Sequence, residues 1–402
     1  MMTLPLWPNL MLNPLAAFGI LLALGVIGGQ IAVRVARLPA ITGYIATGLI
    51  IGPYNLNLLN QQLLNEASLF VQLALGIALF EAGRRVDLRW LRVEKTLLAT
   101  TLLYCLLVFG ALFALLNGNG FGAPASLMLA ALGMATSPIV VLEIVRESRA
   151  DGQVSERLLT ATALSSLLAM AGFALALSYT HLSSDHSVED GILMPGWLIL
   201  GSVALGLVAG LVTTQLNRWL GGHQREAQRV LLFGLIALLV GAADMLQLLA
   251  LLALLVAGMS TRTLRHGYTV SEPGILSLSH VFTVAFFVSA GAHLSPQALA
   301  SHWQLALLCL ILRSGIGMLV WWLAARGNGL SRKQGAWLGL ALSPMNSGSA
   351  LLLGLGIVSL GEAATSFSAA LMAALLINEI VAPVLTRLAL RLAGETAGAN
   401  HA

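Results

Sequence analysis

Charge is what this sequence has least of. Only 9% of its 402 residues are Asp, Glu, Lys or Arg, against 58% hydrophobic, and the mean hydropathy is +0.88. A soluble domain carries about a quarter charged residues, so a soluble enzyme and a nucleic-acid binder are both excluded. Cysteine is almost absent too. Cys105 and Cys309 both lie in apolar runs, which leaves neither a disulfide framework nor a thiolate metal site. The opening MMTLPLWPNLMLNPL lacks the basic residues of a cleaved signal peptide, so the first apolar run is read as part of the mature chain. No Gly-rich phosphate loop, catalytic triad or metal cluster is present, and neither a cofactor nor an enzymatic activity is expected.

What fills the chain instead is about thirteen apolar runs, each long enough or nearly so to span a bilayer core of about 30 Å. They begin near residues 15, 39, 67, 96, 125, 158, 197, 229, 246, 274, 303, 335 and 364. The expected fold is an all-α polytopic membrane protein. The loops orient it: 20 of the 21 Lys and Arg residues fall in alternate loops, from Arg34 and Arg37 at the first to Arg387 and Arg391 at the last. The other loops hold Glu66, Asp185, Glu189, Asp190 and Glu362. By the positive-inside rule the arginine-rich side is cytoplasmic, with the N-terminus outside and the C-terminus inside, as in a bacterial inner membrane. Opposite-sided termini require an odd number of spans, and thirteen is odd. The formal charge of +4 is therefore a mark of topology.

Two spans are interrupted. Thr136-Ser137-Pro138 breaks the first, and Ser343-Pro344-Met345-Asn346-Ser347-Gly348 breaks the second. Each is preceded by an Asn-Gly turn; Asn119 to Asn328 is 209 residues, and Ser137 to Ser343 is 206. In the expected topology the first runs inward and the second outward, which is the signature of two inverted-topology repeats with crossed discontinuous helices. A proline behind hydroxyl residues frees backbone carbonyls, and a membrane tolerates this only where protein or a water-lined cavity satisfies them. Transporters build cation sites at such breaks. The serine pair Ser165-Ser166 on the following span belongs to the same region.

Several stretches converge on one family. ITGYIATGLIIGPYNL from Ile41, LGIALFEAGRRVDL from Leu75, ATSPIVVLEIVRE from Ala135, TATALSSLLAM from Thr160, FFVSAGAHL from Phe286 and INEIVAP from Ile377 follow one another in order along nearly the whole chain. Together they resemble the monovalent cation:proton antiporters, particularly the Kef-type branch. The resemblance implies an inverted-repeat helical bundle in which a core domain moves against a dimerisation domain, a homodimer, and Na+ or K+ and protons as the species moved. The cytosolic nucleotide-binding domain of many Kef-type relatives has no counterpart after Arg391, so residues 1–402 are read as a single membrane-embedded exchanger domain. The sequence departs from the family at one telling place. Where relatives carry Asp-Asp, Asn-Asp or Gln-Asp within TALSSLLAM, this chain has Ser165 and Ser166, and no acid occurs between Glu156 and Asp185. A hydroxyl can ligate a cation but does not titrate near neutral pH.

The acids within spans are therefore weighed one by one, since each charge there costs about 2.5–3.5 kcal/mol on insertion scales. Glu379 is the deepest, and lies roughly 12 Å along its helix from Arg387 at about 1.5 Å per residue. Arg313 is the one basic residue inside a span, so either a Glu379–Arg313 salt bridge or a transport role for Glu379 is expected. Glu81 has Arg84 and Arg85 at i+3 and i+4, and Glu143 has Arg146 at i+3, which suits surface ion pairs. Asp244 falls in a short turn and is read as solvated. His280 and His293 lack metal-ligand spacing. Thr136, Ser137, Ser165, Ser166, Ser343, Asn346 and Ser347 are the candidate oxygen ligands, with small-residue helix packing as their plainer role.

Three functions fit these residues: cation:proton exchange with an altered coupling site, a transport-inactive relative acting as a sensor or complex subunit, and proton-uncoupled passage of a cation or small solute.

Overall fold

The computed structural model describes residues 14–87, 89, 93–182, 193–220, 225–264, 276–294, 296–346, 352 and 364–396. In chain order the helices are α1 (Pro14–Ile31), α2 (Ala40–Ile51), α3 (Gln61–Arg85), α4 (Lys95–Gly118), α5 (Ala123–Gly133), α6 (Pro138–Glu147) and α7 (Gln153–Leu182). There follow α8 (Ser202–Leu220), α9 (Arg225–Met245), α10 (Ala250–Leu264), α11 (Leu276–His293), α12 (Pro296–Ala324), α13 (Arg332–Ala341) and α14 (Ala364–Leu392). A π-helical turn, Ala32–Ala36, extends α1, and another, Trp197–Gly201, leads into α8. No strand occurs among the described residues.

Among the described residues, seven segments are long and apolar enough to cross a membrane: Pro14–Ala36, Lys95–Gly118, Gln153–Thr180, Leu193–Leu220, Glu226–Met245, Ala300–Ala324 and Phe367–Leu392. Shorter apolar helices at Ala40–Ile51, Ala123–Gly133, Ala250–Leu264 and His280–His293 accompany them. All thirteen expected starts fall within two turns of a helix start, taking α5 and α6 as one interrupted span. Arginines mark the C-terminal ends of α1, α3, α6, α8, α10 and α14, and basic residues open α4, α9 and α13, so the basic residues gather at alternate connections along the chain.

Local chemistry sets the boundaries. Asn60 caps α3 by accepting from Leu63 N at 2.9 Å. Ser331 and Gln334 form a reciprocal capping box on α13. Close backbone approaches then fix the packing. A Cβ on Gly258 of α10 would lie 2.1 Å from Phe80 O of α3, and one on Gly339 of α13 would lie 2.1 Å from Gly317 O of α12. Small residues allow helices to approach this closely where the solvent supplies no hydrophobic drive.

The segment just past α14 is tied back to the bundle. Glu395, just past α14, accepts from Val154 N at 2.6 Å and from Ser155 N and Oγ at 2.7 Å, so its carboxylate caps the N-terminus of α7. Capping and helix-dipole effects of this kind are each worth about 1 kcal/mol. Glu395→Ala is therefore expected to lower the thermal unfolding midpoint modestly, and Glu395→Gln by less; an unchanged midpoint in both would show the tie to be dispensable.

Candidate functional site at the helix crossing

The two interruptions meet. Thr136 and Met345 form an isolated antiparallel bridge, and Ser137 N donates to Pro344 O at 2.8 Å. The break in the first span has a clear local cause. α5 stops at Gly133, and α6 restarts at Pro138, whose missing N–H costs nothing in a first turn. Ser137 is the N-cap, accepting from Val140 N at 3.5 Å. In the second span α13 stops at Ala341 and residues 342–346 run non-helically through the crossing.

The polar groups released by these breaks are answered by side chains from three other helices. From α7, Ser166 Oγ donates to Thr136 O at 2.7 Å, while Ser165 Oγ accepts from Thr136 N at 3.3 Å and donates to Thr162 O at 2.9 Å. From α12, the Arg313 guanidinium donates to Gly133 O, to Thr136 Oγ1 at 2.8 Å, to Leu342 O at 3.0 Å and to Pro344 O at 3.4 Å. It thus sits against the carbonyl, negative ends of both α5 and α13. Ser314, next to it, shares a hydrogen bond with Ser343 Oγ at 2.9 Å, and Ser343 Oγ also donates to Leu340 O. From α14, Asn378 receives Met345 N on its carbonyl and donates to Ser343 O at 3.0 Å, and Thr386 Oγ1 donates to Ala341 O at 3.1 Å.

Thr136, Ser137, Ser165, Ser166, Ser343 and Asn346 are all buried here, the first four wholly so. Ser347 lies outside the described residues. A cavity of about 40 Å³, large enough for a water, touches Arg313, Met345 and Asn378 and is otherwise walled by Leu and Ala side chains with Gly133 and Cys309.

Two expected pairings are corrected. Among the described residues no ion pair joins Glu379 to Arg313; the guanidinium's hydrogen bonds go to the crossing, where two helix C-termini hold partial negative charge. Glu81 is not confined to its neighbours Arg84 and Arg85. It pairs with Arg146 of α6, a residue 65 positions away. Arg146 also lies 4.0 Å from Glu143, and His280 Nδ1 of α11 lies 3.7 Å from the other oxygen of Glu143. Glu81, Glu143, Arg146 and His280 therefore form an ion cluster joining α3, α6 and α11, apart from the crossing. Asp244 is exposed, as expected.

Asn378 escaped the sequence reading, although an Asn beside Glu379 in an apolar span was a signal. Pro383 was another, since four residues after Glu379 it offers that residue's carbonyl no N–H. Asn378→Ala is expected to leave Met345 N and Ser343 O unanswered at about 1–3 kcal/mol each, a loss that thermal unfolding in detergent will register.

Two interrupted helices crossing antiparallel inside a polytopic helical bundle are the architecture of a secondary transporter. The chain belongs to the sodium/hydrogen exchanger family: the model of its transmembrane domain ("Sodium/hydrogen exchanger, transmembrane") matches residues 19–390. In fold it is similar to the sodium proton antiporter MjNhaP1 from Methanocaldococcus jannaschii. The structure of that protein at pH 8 shares 20% identity, covers 95% of this chain and 99% of its own, and superposes with a TM-score of 0.74. A second MjNhaP1 structure, from electron microscopy, gives 19% identity, coverage of 96% and 98%, and a TM-score of 0.76. No curated protein matches the sequence.

Proposed function

We propose that this chain exchanges a monovalent cation, Na+ or K+, for a proton by alternating access, with Glu379 as the titrating acid in place of the family's acid pair. One observation carries the reading: Arg313 and Glu379, 2% and 3% exposed, are the only buried Asp, Glu, Lys or Arg side chains among the described residues. Arg313 cannot deprotonate. With Glu379 ionised the buried region is neutral, and with Glu379 carrying either a proton or a bound monovalent cation it holds one positive charge. The two loaded states are electrostatically equivalent, which is the condition for one-for-one competition. Ser165, Ser166 and Thr136 supply oxygens with lone pairs to spare, and Asn346 and Ser347 lie in the second interruption. Arg313 is the fixed counter-charge of the crossing, and Glu81 belongs to the ion cluster. The expected setting is a homodimer in a bacterial inner membrane, N-terminus outside and arginine-rich loops in the cytoplasm.

A second reading, a transport-inactive or proton-uncoupled relative, is favoured by the hydrogen bonds of Ser165 and Ser166, which are already committed to Thr136. Proteoliposomes holding a pH-sensitive dye separate the two. On addition of Na+ or K+ the parent is expected to dissipate a pH gradient. Silence with both cations, together with gain of exchange in Ser166→Asp, would overturn the antiport reading and show a pathway that has kept its shape and lost its coupling acid.

A further inference from the structure

A separate, open cavity of about 550 Å³, lined by both charged and apolar side chains, lies at the arginine-bearing helix ends. Its walls come from three places: Arg37 between α1 and α2, Glu147 and Ser148 at the end of α6, and Arg387 and Arg391 in the last turns of α14, with Thr396 beyond. We propose that this cavity binds a phosphate group, carried either by an anionic phospholipid headgroup or by a soluble phosphate.

Charge is the first ground. Three guanidiniums face one carboxylate, and that carboxylate is already engaged: Glu147 lies 3.4 Å from Arg387 and accepts from Ala40 N at 3.1 Å. Arg37 and Arg391 make no ion pair among the described residues. The same imbalance repels a cation, which sets this cavity apart from a cation path. Geometry is the second ground. Arg37 has a left-handed backbone with φ of 55° and donates its N–H to Ala32 O, so the turn rather than a salt bridge places it at the mouth. Guanidiniums bind phosphate oxygens through paired N–H donors, more strongly than neutral groups do. Apolar Val33, Pro39, Val384 and Leu388 complete the wall, as the upper part of a phospholipid requires. A phosphate held between Arg37 and Arg391 ties the α1–α2 corner to α14.

The full-length protein in a neutral detergent provides the test, with its unfolding midpoint followed against a short-chain phosphatidylglycerol, a short-chain phosphatidylcholine and inorganic phosphate. The parent is expected to show a saturable rise with phosphatidylglycerol and none with phosphatidylcholine, and the Arg37→Gln/Arg391→Gln variant to need about tenfold more probe or worse. A matching saturable rise with inorganic phosphate assigns the site to soluble phosphate; a rise with phosphatidylglycerol alone assigns it to lipid. Should the Gln pair lower the ligand-free midpoint, Arg37→Lys/Arg391→Lys is expected to restore the midpoint and to bind between the parent and the Gln pair, keeping the charges without the paired donors. The proposal is overturned if neither phosphatidylglycerol nor inorganic phosphate gives the parent a saturable rise, if the Gln pair keeps the parent's affinity, or if the Lys pair, with its midpoint regained, binds no better than the Gln pair.

Discussion

Arg313→Gln is expected to cost the protein several kcal/mol of stability and most of its folded yield. The guanidinium answers Gly133 O, Leu342 O, Pro344 O and Thr136 Oγ1 together, and no neutral side chain of similar length presents that many donors. Removing one member of a buried charged network costs about 3–5 kcal/mol, which is a large part of a total of about 5–15. Arg313→Lys keeps the charge but loses the planar fork, and is expected to fall between the two. A double-mutant cycle adds a sharper test. If Arg313 also balances Glu379 through the low-dielectric interior, Arg313→Gln/Glu379→Gln will be less destabilised than the sum of its single changes. Unfolding midpoints in detergent measure all four corners; a parent-like midpoint for Arg313→Gln would mean that the crossing is held by the α7 and α14 side chains alone.

The location of the crossing was legible in the sequence because its causes are local. A proline after two hydroxyls ends one helix and starts the next wherever it occurs, and a matching break some two hundred residues later implied the crossing. The thirteen starts and the charge alternation were legible for the same reason: hydropathy and loop charge act over a few residues. What could not be read is who answers whom. The acceptor Gly133 is 180 residues from Arg313, and Arg146 is 65 from Glu81. Sequence favours neighbours at i+3 and i+4, so it proposed Arg84 and Arg85 for Glu81 and, lacking a local partner for Arg313, offered it the one other deep charge. The serines show both sides of this. Their position beside the break was plain, but only the fold shows that Ser166 donates to the Thr136 carbonyl while Ser165 accepts from the Thr136 amide, so that the two hydroxyls answer both backbone groups of one residue.

Glu379→Gln is expected to abolish cation-driven proton movement while leaving the protein folded. The amide has the shape of the protonated acid, so packing around a side chain only 3% exposed is preserved. What it loses is the ionised state. Without that state the region around Arg313 holds a permanent positive charge, and a second cation entering it is repelled by about 4 kcal/mol at 4 Å in a medium of effective dielectric 20. Glu379→Asp keeps the charge but withdraws the carboxylate by one methylene, so partial exchange with weakened cation affinity should remain. The pH dependence carries the sign. If proton and cation compete for one carboxylate, the apparent cation affinity of the parent falls about tenfold for each pH unit below the acid's pKa and levels off above it, as one-proton linkage demands. A protein passing cations without proton coupling shows no such slope. Exchange by Glu379→Gln at the parent's rate, with the slope intact, would move the coupling acid to the cluster of Glu81 and Glu143, whose side chains are only 18% and 16% exposed and already share Arg146.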